Sequence, residues 1–179
     1  MADRDGRVGQ QLGNYRLLPL LGRGGFADVY LGQHIHLNSH AAVKILRTQL
    51  PEEDAQQFLR EAQILARFSH PHIVRVLDFA IQDGMPFLVM EYAPGGTLRS
   101  LHPKATRVPL ETVVRYATQV ASALQYAHDQ RLVHRDVKPE NMLLGSRSIS
   151  LTSGSNCKQP GGRRAPVNCM SSFSWERRV

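Results

Sequence analysis

Short apolar runs alternate with turns through the first part of the chain. Tyr15–Leu21, Phe26–Leu31 and Ala41–Leu46 are three such runs in succession, and Gly22-Arg23-Gly24-Gly25 follows the first of them. Runs of this length joined by turns predict an antiparallel meander. Pro51-Glu52-Glu53-Asp54 then carries a helix-start pattern, with proline early and acids in the first turn. The predicted helix reaches Phe68, and Phe58, Ala62 and Leu65 recur on one face of it. Glu61 leans toward that same face, where a carboxylate needs a cation because burying it alone is costly.

His70-Pro71-His72 ends the helix. Val74–Ala80 and Pro86–Glu91 predict two more strands around the turn Gln82-Asp83-Gly84, and Ala93-Pro94-Gly95-Gly96 predicts a hinge. Leu110–Gln130 carries the strongest helical period, with Val113, Ala117, Val120, Leu124 and Ala127 as its apolar stripe. Residues 1–14 are expected to be a flexible leader. After Leu144 serines alternate with glycine and arginine and no period persists, so 145–179 is expected to be disordered.

With 179 residues and a 42% hydrophobic share, the chain can bury a real core. No stretch approaches the roughly 20 apolar residues that span a membrane. The first ten residues lack the apolar region of a secretory signal, which makes the cytoplasm the expected location. Cys157 and Cys169 are too few and too late for a disulfide framework. The net charge of +7 suggests nucleic acid only until it is divided along the chain. Residues 145–179 hold Arg147, Lys158, Arg163, Arg164, Arg177 and Arg178 against Glu176 alone, and so account for most of it. An unstructured basic segment explains such a tail better than a nucleic-acid surface, and no nucleic-acid partner is expected.

Three patterns carry chemistry. In Gly22-Arg23-Gly24-Gly25-Phe26-Ala27-Asp28-Val29 the glycines allow a tight turn that can approach a phosphate chain. A dinucleotide-binding turn would lead into a helix, whereas Val29-Tyr30-Leu31-Gly32 continues as strand. Lys44 lies inside the apolar run Ala41–Leu46, where a lysine is ordinarily an edge or snorkelling residue. Paired with Glu61 it gains a role, since a held ammonium can point at the α- and β-phosphates of a nucleotide. The histidines His34, His36 and His40 fall between two predicted strands and are read as surface residues, not as metal ligands.

The third pattern, His134-Arg135-Asp136-Val137-Lys138-Pro139-Glu140-Asn141, follows the long helix. Here the chain resembles the protein kinase family, whose catalytic loop reads His-Arg-Asp, four spacers, Asn. The glycine-rich turn, the lysine strand and the helix glutamate precede it in the family's order. The resemblance covers about residues 15–144, and Lys138-Pro139-Glu140 resembles the serine/threonine branch, with bacterial members of the eukaryotic type most similar. It implies an α+β protein kinase-like fold: a five-stranded antiparallel small lobe with one helix over 15–92, and a partial helical large lobe over 93–144. It implies ATP and Mg²⁺, and a protein substrate bearing Ser or Thr.

By that resemblance Asp136 accepts or orients the proton of the substrate hydroxyl, Lys138 stabilises the γ-phosphoryl group, and Asn141 binds one Mg²⁺. Lys44 and Glu61 complete the catalytic set. The glycine-rich turn from Gly22 and Arg23 through Gly24, Gly25 and Phe26 covers the nucleotide. Leu21, Val29, Ala42 and Leu143 sandwich adenine, Met90 stands beside the adenine pocket, and backbone groups of Glu91 and Ala93 bond the base.

Two departures stand out. Ala27 replaces the third glycine of the turn. No Asp occurs in 145–179, where the family continues to an Asp-Phe-Gly motif that supplies the principal Mg²⁺ ligand. The chain therefore reads as an incomplete kinase domain, and the composition shift at Gly145 suggests a frameshift. The stripe on helix 110–130 is then expected to lack a partner, and the isolated chain to have little or no phosphotransfer activity. Two rivals remain. One is a non-catalytic nucleotide- or partner-binding remnant. The other is a small-molecule phosphotransferase, against which Arg135 and Lys138-Pro139-Glu140 argue. Oligomeric state is left open.

Overall fold

The computed structural model of the protein describes residues 6–25, 27–47, 52–145, 148–152 and 175–177. They form two compact units. The first holds described residues up to 68 and 75–92; the second holds 69–74, 93–152 and 175–177.

The first unit is an antiparallel sheet with one helix. Its strands are β1 (Gln11–Leu12), β2 (Tyr15–Arg23), β3 (Ala27–His34), β4 (His40–Leu46), β5 (Val76–Gln82) and β6 (Met85–Glu91), in the order β1-β2-β3-β4-β6-β5. The five expected strands are present, and a sixth two-residue strand precedes them. The leader expected over 1–14 is corrected at this point: Leu12 is buried and pairs with Tyr15, because its side chain completes the sheet's core. That core holds Tyr15, Leu17, Tyr30, Val43, Ile45, Phe87 and Val89 on one face. The register sets Val29 opposite Lys44 and Lys44 opposite Leu88, with Leu31, Ala42 and Met90 forming the next row. Since side chains alternate along a strand, Val29, Ala42, Lys44 and Met90 share the other face.

Helix α1 (Glu52–Ala66) buries Phe58, Ala62 and Leu65 as the periodicity predicts, and packs on β5. It ends before Phe68, in a tighter turn where Arg67 and Phe68 donate to the carbonyls three residues back. Strand β5 begins at Val76, two residues later than expected. Ile73 and Val74 belong to the second unit, where both pair with Leu151.

The second unit contains α2 (Leu98–Leu101), α3 (Leu110–Asp129), β7 (Leu132–His134), a 3-10 turn Pro139–Asn141, β8 (Met142–Leu144), β9 (Ile149–Leu151) and β10 (Trp175–Arg177). Two backbone bonds join Gly95 N–H to the Leu144 carbonyl and Leu144 N–H to the Gly96 carbonyl, at 3.0 and 2.9 Å. A Cβ on Gly95 would lie 2.6 Å from the Leu144 carbonyl oxygen, so only glycine fits there. A reciprocal capping box, Thr97 with Ser100, starts α2.

The disordered tail expected from Gly145 is corrected in two places. Strand β9 pairs antiparallel with β8, and its Ile149 and Leu151 are fully buried. Leu151 N–H donates to the His72 carbonyl, Val74 N–H donates to the Leu151 carbonyl, and Gln119 on α3 accepts from Ile149 N–H. Strand β10 pairs antiparallel with β7, with Trp175 opposite His134. Both segments are too short to show a period; β10 pairs with a strand far away in sequence, and β9, though hairpinned to β8, is buried by contacts with His72, Val74 and Gln119.

Candidate functional site

Chemistry-bearing residues occur in both units. In the first, Lys44 is only 3% exposed, in the middle of the sheet row Val29–Lys44–Leu88. A buried ammonium in an apolar row requires an anionic or hydrogen-bonding partner. Glu61 is half-buried on α1 of the same unit, next to the fully buried Ala62. Val29, Ala42 and Met90 flank Lys44 on its face, giving an apolar wall around one cation. That combination suits a flat base with an attached phosphate chain.

The turn beside this face is open. Leu21, Gly22 and Gly25 are exposed, and Gly24 N–H donates to the Ala27 carbonyl at 2.8 Å. Phe26 lies outside the described residues. Arg23, expected among the nucleotide contacts, directs its guanidinium at Asp28 instead, 3.5 Å away. Its contribution to a nucleotide would therefore come from its backbone. Glu91 N–H donates to the Arg75 carbonyl at 2.9 Å, so a contact from Glu91 to a base falls to its carbonyl. Ala93 begins the described hinge in the second unit, and its carbonyl accepts from Gly96 N–H.

The second unit assembles the catalytic loop. Lys138 Nζ lies 2.5 Å from Asp136 Oδ2, and Asn141 Nδ2 donates to the same oxygen at 2.9 Å and to the Asp136 carbonyl at 2.7 Å. Asn141 is 4% exposed at the end of the 3-10 turn. The side-chain contacts that Lys138 and Asn141 make with Asp136 both fall on Oδ2. Leu143 sits half-buried on β8, opposite Ser150 and bridged to Thr97.

Four sets of contacts were not assigned from sequence. His134 is buried and accepts from Asp136 N–H at Nδ1, so its Nε2–H donates to the Thr152 carbonyl at 3.0 Å. Burial holds its pKa below the ordinary histidine value, which keeps the ring neutral and both bonds intact. Arg99 on α2 grips Glu140 at 2.9 Å and lowers that carboxyl's pKa. Asp28 is buried between two arginines. An acid three residues past the last glycine of the turn, with Arg47 beyond the lysine strand, was the available signal for it. His34 caps a turn, its Nδ1 accepting from the amides of His36 and Leu37.

Residues 15–153 match the family described as the protein kinase domain. This chain belongs to the protein kinase family. The match runs nine residues beyond Leu144, taking in the β8–β9 hairpin. A probable serine/threonine-protein kinase of Clostridium perfringens is 39% identical over 145 residues, covering 79% of this chain and 21% of that protein. Serine/threonine-protein kinase PrkC of Bacillus subtilis is 37% identical over 147 residues, covering 76% and 22%. The kinase domain of Mycobacterium tuberculosis PknI superposes with a TM-score of 0.71 at 34% identity, covering 81% of this chain and 60% of that one. This kinase chain thus spans about a fifth of the curated relatives' length and about three-fifths of the solved kinase domain. The relatives are bacterial serine/threonine kinases, in line with the branch that Lys138-Pro139-Glu140 resembles.

The family generally uses ATP and Mg²⁺. The Lys44 face fits a nucleotide. The fit to Mg²⁺ is poor: that ion takes one or two carboxylates besides phosphates and water. Asn141 offers a single neutral oxygen, its amide nitrogen is spent on Asp136, and Asp136 already holds Lys138. No cluster of three or more His, Cys, Asp or Glu occurs among the described residues, and 145–179 contains no Asp.

Proposed function

We propose that this chain is the nucleotide-binding and catalytic-loop portion of an ATP-dependent serine/threonine protein kinase. The observation that carries this reading is Asp136 clamped by Lys138 and Asn141. Phosphoryl transfer through a loose transition state needs positioned groups and positive charge more than covalent chemistry. Asp136 Oδ1 would orient a Ser or Thr hydroxyl and take its proton. Lys138, fixed on the neighbouring oxygen, would offset charge on the moving phosphoryl group. Lys44, held by Glu61, would bind the α- and β-phosphates, and Leu21, Val29 and Ala42 would line adenine beside Met90. Glu91 and Ala93 would contribute backbone groups, and Asn141 at most one metal oxygen. The glycine-rich turn over Gly22–Phe26 would cover the phosphates with its amides.

The partner class is a protein bearing an accessible hydroxyl. Arg135 and Lys138-Pro139-Glu140 argue for a protein over a small-molecule acceptor. No helix among the described residues is long and apolar enough to cross a membrane. The absence of Asp from 145–179 favours a second reading for the chain taken alone: a nucleotide-binding remnant without turnover. One experiment separates the two. The purified chain is titrated with ATP by calorimetry and then assayed with labelled ATP on a generic basic protein. Binding without label transfer is the expected result for the isolated chain. Transfer that vanishes in Asp136→Asn would establish catalysis, and absence of binding would defeat both readings.

A further inference from the structure

At the glycine-rich end of the first unit, charged side chains from three successive strand regions meet. Asp28 on β3 is 4% exposed. Arg47 grips its carboxylate as a fork, with Nη2 2.6 Å from Oδ1 and Nε 3.1 Å from Oδ2. Arg23, its register partner on β2, brings Nε to 3.5 Å of Oδ1. Arg23 stands between Gly22 and Gly24, and Arg47 directly follows β4, the strand that carries Lys44. A carboxylate this deeply buried is costly unless paired, and the planar two-point grip is one that lysine cannot reproduce.

The faces matter. Asp28 lies opposite Ile45, whereas its neighbour Val29 lies opposite Lys44. Strand alternation therefore puts the ion cluster on the side of the sheet away from Lys44. It cannot touch a ligand lying on the Lys44 face. It can fix, from behind, the angle at which the glycine-rich turn leaves the sheet. The turn needs this, because a Cβ added at Gly22 or Gly25 would meet open space.

We propose that Asp28 is a positioning residue for nucleotide phosphates: it ties Arg23 in the glycine-rich turn to Arg47 at the end of the lysine strand, so turn and lysine meet the phosphate chain in fixed register. This inference rests on the nucleotide-binding reading above. The test compares ATP with adenosine, which lacks phosphate, by calorimetry on the full chain. Asp28→Asn, and Arg23→Gln on a more exposed side chain, are expected to weaken ATP binding about tenfold. Adenosine binding is expected to stay within about twofold of the parent. Equal losses for both ligands would reduce Asp28 to a general fold role and overturn the proposal, as would no loss for either. If the parent chain binds neither ligand, the nucleotide reading falls and hydrogen exchange decides the tie itself. Faster exchange at amides 22–28 in Asp28→Asn, with Val43 and Val89 unchanged, supports it; unchanged exchange overturns it.

Discussion

In the first unit Leu17, Tyr30, Val43 and Val89 are completely buried, whereas α3 in the second leaves Leu110, Val113 and Val114 at 78%, 45% and 56% exposed. The apolar stripe of α3 lines an open hollow of about 660 Å³, shared with α2, the 103–108 segment, Pro139 and Met142. The first unit closes its core with its own strands, and the face that carries Lys44 is the reverse side of that closed sheet. The catalytic loop sits in a unit whose central helix keeps an apolar side uncovered. Loop geometry that must be held to fractions of an ångström depends on such support. The proposed nucleotide-binding and phosphoryl-transfer roles thus fall on units with differently closed cores.

The comparison can be broken first at the core. Phe87→Ala removes a fully buried ring from the first unit and is expected to cost about 3–5 kcal/mol, measured by urea unfolding. Val114→Ser on the exposed side of α3 is expected to change stability by no more than about 0.5 kcal/mol while reducing self-association in sedimentation. A comparable loss from both substitutions would erase the contrast between the units.

Lys44→Met sharpens it next. Removing the ammonium strands the half-buried carboxylate of Glu61, so the substitution is expected to lower the melting temperature and to weaken ATP binding more than about tenfold. Retained affinity in calorimetry would remove Lys44 from the nucleotide site.

A pH titration separates the units by their histidines. The His134 pKa is lowered by burial, as is that of His70, with His72 adding to the latter shift. An unfolded histidine takes up a proton near pH 6.5, while the folded ring resists it. The second unit should therefore hold full stability above that pH and lose it as pH falls below, with a slope for His134 of at most about 1.4 kcal/mol per pH unit. His134→Gln should flatten the fall of the urea midpoint.

The smallest effect is expected at Arg99 and Glu140. Their contact is short but exposed, so solvent screens it, and Glu140→Gln should shift unfolding by no more than about 0.5 kcal/mol. A larger shift would mean that α2 and the 3-10 turn support one another more strongly than an exposed pair allows.

Local patterns made much of this legible. The apolar runs gave the five long strands and their antiparallel order, because alternation and turns act between neighbours in the chain. The line Phe58, Ala62, Leu65 gave the buried face of α1. The spacing from His134 to Asn141 singled out the loop in which Lys138 and Asn141 meet Asp136, since such a clamp needs lysine and amide within a few residues of it.

What stayed hidden depends on partners far away in sequence. Nothing local marks Ile149–Leu151 as a buried strand; His72, Val74 and Gln119 make it one by meeting its backbone groups. Leu12 looks like part of a loose leader until the sheet core receives it. Arg23 reads only as part of the glycine-rich turn until the register places Asp28 across from it. The sequence by itself determined which elements form and which chemistry they carry, because those follow from neighbours. Only the tertiary structure decided which face each side chain meets and which polar groups are paired, because burial and pairing are properties of the assembled chain.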